Sequence, residues 1–135
     1  MDGLSMNRLF IYGTLMPGLQ LQAEMHGARF VGAAQVAGRL VDVGRYPGFL
    51  AGEGLVTGEV YEVDDAHLAR LDGVEGVVPG DRAASQYWRE VVTVVGGPLQ
   101  GQPVQTYVYK RSADGCTPIP HGDYRRYIRE VGRES

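Results

Sequence analysis

FIYGTLMPG, residues 10–18, carries an apolar, β-favouring run into an abrupt break at Gly13-Thr14, with Pro17-Gly18 just beyond. Leu9, Phe10, Ile11 and Tyr12 read as a buried strand, and Gly13 lets the backbone turn where a side chain would clash. Past such a strand end, the successive N–H groups of Gly13, Thr14 and Leu15 can point into one concavity. That is how a backbone builds an anion or oxyanion cradle. A strand that ends in a plain tight turn would use the same residue types, so the segment takes its meaning from its companions.

Downstream, Leu19 to His26 (LQLQAEMH) consists of good helix formers and ends at Gly27, a C-cap residue type. Arg29-Phe30-Val31 and Gln35 to Val43 read as strands, the second long and bent at Gly38. In RYPGF (45–49), Pro47-Gly48 is expected to turn, with Tyr46 and Phe49 on either side. Leu55 to Val63 alternates most clearly, setting Val56, Gly58, Val60 and Glu62 on one face. Asp64-Asp65 offer N-caps to a short helix with Leu68, Leu71 and Val74 on one side. Tyr87–Val95 and Val104–Lys110 are two further strands, with Trp88 expected in the core. Asp123 caps a last helix whose Tyr124, Tyr127, Ile128 and Val131 form an i, i+3, i+4, i+7 stripe. Short helices around five or six strands indicate an α+β protein, a small antiparallel or mixed barrel.

At 135 residues the chain is sized for one domain, taken as 8–131 behind a short polar tail at 1–7 with Met6 as a second possible start. Twenty glycines are spread along it rather than massed in a linker, which suits many short strands with tight connections. A net charge of -3 without a basic cluster gives no footprint for nucleic acid or an anionic membrane. No apolar run approaches the ~20 residues that span a bilayer. Cys116 is the single cysteine, which excludes an internal disulfide and fits a reducing, cytoplasmic setting. With His121 five residues on, it is either a bystander thiol or half of a nucleophilic pair, and nothing nearby suggests an oriented base. His26, His67 and His121 lack metal-ligand spacing, so no metal is expected.

Glu75 is the candidate reacting group. It ends the helix that begins at Asp65, just before Gly76, a residue suited to the left-handed turn that terminates helices. The negative end of the helix and Asp72 at i−3 both disfavour its ionised form, and burial would disfavour it further. A carboxyl group so raised suits a general base near neutral pH; a solvated charge at a helix end is the other reading of the same residue. Arg89 alternates with Trp88 and can pair with Asp72 or with neighbours of Glu90. The irregular stretch 76–86 (GVVPGDRAASQ) forms a natural rim.

Read in order, YGTLMPG (12–18), RYPGF (45–49), GEVYEV (58–63), LDGVEG (71–76), YWREVVTV (87–94), YVY (107–109) and IPHGDY (119–124) run from about residue 8 to 128. This ordered set resembles the γ-glutamylcyclotransferase-like, or AIG2-like, family. The resemblance implies a compact barrel-like sheet with flanking helices. It places the family's catalytic glutamate, in LDxxEG, at Glu75, and a substrate cradle at Tyr12, Gly13, Thr14 and Leu15. Tyr46 and Tyr109 stand as further pocket walls or as packing side chains. The implied activity cyclises the γ-glutamyl group of a small molecule to 5-oxoproline and releases an amine or amino acid. No GxGxxG, Walker-type or CxxC motif accompanies it, so no cofactor is expected. The alternative on the same fold is a non-catalytic module that binds an acidic or γ-glutamyl metabolite.

Overall fold

The computed structural model describes residues 6–132; the opening MDGLS lies outside them. Six strands occur in chain order: β1 (Met6–Ile11), β2 (Arg29–Asp42), β3 (Pro47–Asp64), β4 (Tyr87–Gly96), β5 (Pro103–Tyr109) and β6 (Thr117–Ile119). Helix α1 (Asp65–Val74) follows β3, and α2 (Tyr124–Glu130) follows β6. The sheet order is β3-β1-β5-β4-β2-β6, and β2 pairs also with β3, which closes the first five strands into a barrel. The β1–β5 seam is parallel and the other pairings are antiparallel. The expected α+β class and small mixed barrel with short flanking helices are therefore what the chain adopts. Among the described residues no helix is long and apolar enough to cross a membrane.

Strand β1 begins at Met6 and so takes in two residues of the expected tail; Asn7 is tied down by its Nδ2 donating to Val63 O (3.2 Å) and Asp65 Oδ1 (2.9 Å). Leu9, Phe10 and Ile11 are all buried, which means both faces of β1 are covered, as a continuous apolar run requires. The strand crosses β3 tightly at Gly58, where any Cβ would come within 2.2 Å of Ile11 O. At Gly38 the β2–β3 register shifts, and a Cβ there would meet the Phe49 ring at 2.5 Å. The bend expected at Gly38 is thus a bulge that makes room for Phe49.

Three expectations are corrected. The 19–26 helix is only a 3₁₀ turn over Gln22–Met25, because the Leu21 N–H donates back to Thr14 O (2.8 Å) instead of entering a helical ladder. Pro47-Gly48 does not turn: the turn is Val43–Tyr46, closed by Val43 N–H to Tyr46 O (3.0 Å), and Pro47 opens β3 opposite Asp42. A proline lacks the donor a strand interior needs and is suited to a first position. Trp88 is half-buried rather than core, and the neighbouring Tyr87 is the fully enclosed side chain.

Both helix starts follow the sequence. Asp64 Oδ1 accepts from the His67 N–H (2.8 Å) and Asp123 Oδ1 from the Arg126 N–H (3.2 Å). On α1, Leu68 and Leu71 are buried while Val74 is 37% exposed at the open end of the site. His67 Nε2 meets Glu24 O at 2.8 Å, which fastens the 3₁₀ turn to α1.

Candidate active site

The chain leaves β1 at Tyr12, whose hydroxyl donates to Tyr107 O at 2.6 Å. Gly13 follows without a positive φ. What it supplies is space: a Cβ would fall 2.7 and 2.9 Å from Pro47 Cγ and Cδ. With Gly13 pressed on Pro47, the carbonyls of Gly13 and Thr14 turn to the following loop and accept from Met16 (3.0 Å) and Leu21 (2.8 Å). The N–H groups of Gly13, Thr14 and Leu15 donate to no acceptor among the described residues, although all three residues are buried. The Thr14 hydroxyl, on a residue 7% exposed, is also without a partner there. Buried donors left unpaired are costly, so a run of them marks a place prepared for an anionic or carbonyl oxygen.

Opposite stands Glu75, the C-cap of α1. Gly76 takes φ +72, its N–H donates to Gly73 O (3.2 Å), and Val77 N–H donates to Asp72 O (2.9 Å). This pair of bonds is a Schellman motif, which fixes the backbone of Glu75. Gly76 O in turn accepts from the Gln86 N–H (3.0 Å), joining the helix end to β4. The Glu75 side chain turns into the pocket, and among the described residues nothing donates to its carboxyl group. Burial pushes its pKa up to about 7. Neither Asp72 nor any other charge contributes, so the expected like-charge effect gives way to desolvation.

Asp72 is occupied elsewhere. Arg89 Nε and Nη2 donate to its two oxygens at 2.7 and 3.0 Å, and the Tyr107 hydroxyl donates to Oδ1 at 2.6 Å. Of the two partners open to Arg89 by sequence, Asp72 is the one it takes. Tyr87 donates to Pro47 O at 2.6 Å. Tyr12, Tyr87 and Tyr107 are all held neutral, first by burial and also by nearby negative charge that includes Glu75. Their O–H groups are committed to backbone carbonyls or to Asp72, which leaves Glu75 as the group that titrates inside the pocket.

Two chambers meet at this carboxyl group. The inner one is walled by Phe10 to Leu15, Tyr46, Pro47, Glu75, Tyr87 and Tyr107. The outer one shares Thr14, Tyr46, Glu75 and Tyr87 and adds Leu21, Val74 and Gln86.

Comparison with known proteins shows the family. Residues 9–126 fit the model of the family described as γ-glutamyl cyclotransferase, AIG2-like. The chain belongs to this family. It is 32% identical to the γ-glutamylcyclotransferase family protein YtfP of Escherichia coli (strain K12), covering 87% of this chain and 95% of that one. It is 38% identical to the γ-L-glutamyl-butirosin B γ-glutamyl cyclotransferase of Niallia circulans, over 90% of this chain and 78% of that one. Its fold matches the crystal structure of an AIG2-like protein from Mus musculus with a TM-score of 0.74 at 27% identity, covering 96% and 95% of the two chains.

Within this AIG2-like barrel, Tyr12, Gly13, Thr14, Leu15, Tyr46 and Glu75 come together around one pocket. Tyr109 does not line either chamber: it packs behind Tyr87 with ring centroids 5.4 Å apart and abuts Gly48. The tyrosine of the YVY segment that reaches the pocket is Tyr107. Sequence reasoning also missed Tyr87, Pro47 and Gln86. Alternation pointed at Trp88's strand but not at which face turned inward, and Pro47 was read as a turn. Cys116 lines neither chamber, and its N–H donates to Ala113 O (3.0 Å) in a surface turn.

Proposed function

We propose that the protein closes the γ-glutamyl group of a small γ-glutamyl-amine or γ-glutamyl-amino acid into 5-oxoproline and releases the amine. One observation carries this reading: the unpartnered carboxyl group of Glu75, with a pKa near 7, shares a chamber with the unused N–H groups of Gly13, Thr14 and Leu15. Ionised Glu75 takes a proton from the substrate's α-ammonium group. The freed amine attacks its own γ-carbonyl carbon, and the carbonyl oxygen becomes an oxyanion. The cradle N–H groups stabilise either that oxyanion or the glutamyl carboxylate; losing one such donor typically costs about 3 kcal/mol in the transition state. The intermediate collapses as Glu75 gives its proton to the departing nitrogen and the old C–N bond breaks. The ring nitrogen's second proton returns to Glu75 and passes to the released amine, which leaves as an ammonium ion, with 5-oxoproline neutral at its ring nitrogen and Glu75 ionised again.

Because attack is intramolecular, the pocket has only to hold the glutamyl chain in its ring-closing form. Well-oriented reactions of this type reach effective molarities of ~10⁵ M or more. A pocket meant only to bind an anionic glutamyl group would gain nothing from a buried carboxyl, which favours turnover over simple binding. The test is a γ-glutamyl amide whose α-amino group is acetylated. The attacking lone pair is then gone while the amide bond is intact, so no cleavage is expected. Release of acetyl-glutamate would show hydrolysis and overturn the reading. On the unmodified amide in oxygen-18 water, 5-oxoproline should form without label.

A further inference from the structure

The outer chamber carries information about the group that leaves. Beyond the residues it shares with the inner chamber, its walls are Leu21, Val74 and Gln86. The rings of Tyr46 and Tyr87 join Leu21 and Val74 as its apolar part, Thr14 and Gln86 add neutral polar groups, and Glu75 is the one carboxyl group on the lining, which carries no cation. Nearby charges are committed: Asp72 to Arg89, Arg82 to Glu90 (2.8 Å), and Arg111 to Ala84 O (2.9 Å). The rim loop is held against itself, with Ser85 Oγ accepting from the Val78 N–H (2.8 Å) and donating to Asp81 O (2.8 Å). Gln86 Nε2 donates to the Tyr46 hydroxyl, which leaves Gln86 Oε1 as a free acceptor at the chamber wall.

We infer that the outer chamber is the leaving-amine subsite and that it takes the γ-glutamyl amide of a neutral, apolar primary amine, with Gln86 Oε1 accepting the scissile amide N–H. This rests on the cyclotransfer reading above. A second ammonium group held against Leu21, Val74 and the rings would give up part of its hydration with no counter-charge except Glu75, which must stay free to accept a proton. A carboxylate there, as in a γ-glutamyl-amino acid, would be desolvated beside Glu75 itself. An alkyl chain instead gains from Leu21, Val74 and the two rings, and a single methylene in such a pocket is worth about tenfold or more in kcat/KM.

The experiment compares kcat/KM for 5-oxoproline release from three substrates: γ-glutamyl-isoamylamide, the γ-glutamyl isopeptide of the ε-amine of lysinamide, whose leaving part carries an ammonium and no carboxylate, and γ-glutamyl-glycine. The expected order places the isoamylamide at least about tenfold ahead of both others. Gln86→Glu, close in shape, should lower the isoamyl-to-lysyl ratio by about tenfold or more by supplying a counter-charge. That ratio is insensitive to any change in Glu75, since both substrates share it. Preference of the native protein for the lysyl or glycyl substrate overturns the subsite inference while leaving cyclotransfer standing. An unchanged ratio in Gln86→Glu overturns it too. No 5-oxoproline from any of the three overturns the cyclotransfer reading and the subsite with it.

Discussion

Asp72 and Glu75 lie three residues apart at the end of α1, yet only Asp72 is neutralised: Arg89 grips it at 2.7 and 3.0 Å, while no donor among the described residues reaches Glu75. The two carboxyl groups therefore divide the work of the helix end. Asp72 anchors it to β4 and β5 through Arg89 and Tyr107, and its carbonyl closes the turn that sets Glu75.

Asp72→Asn should break that anchor without touching the pocket directly. Charge-assisted hydrogen bonds are lost on a part-buried pair, so stability should fall by about 2 kcal/mol in urea melts. Since burial alone raises the Glu75 pKa, the acid limb of the pH–rate profile should stay in place while the rate falls with the loosened helix end. A limb that moved would show that the Asp72–Arg89 pair acts on Glu75 electrostatically.

The acid limb itself follows from Glu75. With its pKa at about 7, kcat/KM should fall about tenfold for each pH unit below that value and level off above it. A limb centred near 4.5, the ordinary glutamate value, would show that Glu75 is solvated in the working protein.

Glu75→Gln should abolish turnover and at the same time stabilise the protein at alkaline pH. The native fold holds the Glu75 proton up to about pH 7, whereas the unfolded chain releases it near 4.5. The native protein's stability from this group is complete below 4.5 and lost as pH rises through about 7, amounting to at most about 3 kcal/mol. Glutamine carries no charge and escapes the loss. Thermal melts at pH 5 and pH 8 should show the variant gaining on the native protein at the higher pH; equal melting differences at both would contradict the buried carboxyl.

Gly13→Ala should be far more damaging to activity than Cys116→Ser, since its Cβ would drive into the Pro47 ring and shift the cradle N–H groups. A loss of about 10²-fold is expected from displaced donors. Combining it with Pro47→Ala, which removes Cγ and Cδ, should recover part of the rate. Absence of any recovery would place the damage elsewhere than this contact.

Much of this was legible in residue order. Alternation and caps located β4, β5, α1 and α2, and Gly76 announced the left-handed end of α1. Gly13 was rightly read as a place where a side chain would clash, although the partner, Pro47, is 34 positions away and no local rule could supply it. The same limit explains Tyr107. Tyr107 and Tyr109 share one face of β5 by parity, and which of them meets the pocket depends on pairing with Arg89 rather than Tyr87. For Glu75 the sequence points to the helix dipole, Asp72 and burial as causes of a raised pKa; burial is the one that acts, through a pocket whose tyrosines come from β4, β5 and the ends of β1 and β3. Enclosure of that kind is a property of tertiary structure.

The Tyr12 hydroxyl and the Tyr107 carbonyl that holds it are separated by 95 positions, and between them lie the segments that bring Tyr46, Glu75 and Tyr87. On the ribosome, then, the residues of the cradle emerge early and have nothing to face until β5 has been synthesised. Closing so non-local a barrel is slow, in the range of milliseconds to seconds for such topologies. The pocket is among the last things the chain makes, and a partly folded molecule would present N–H groups without a base.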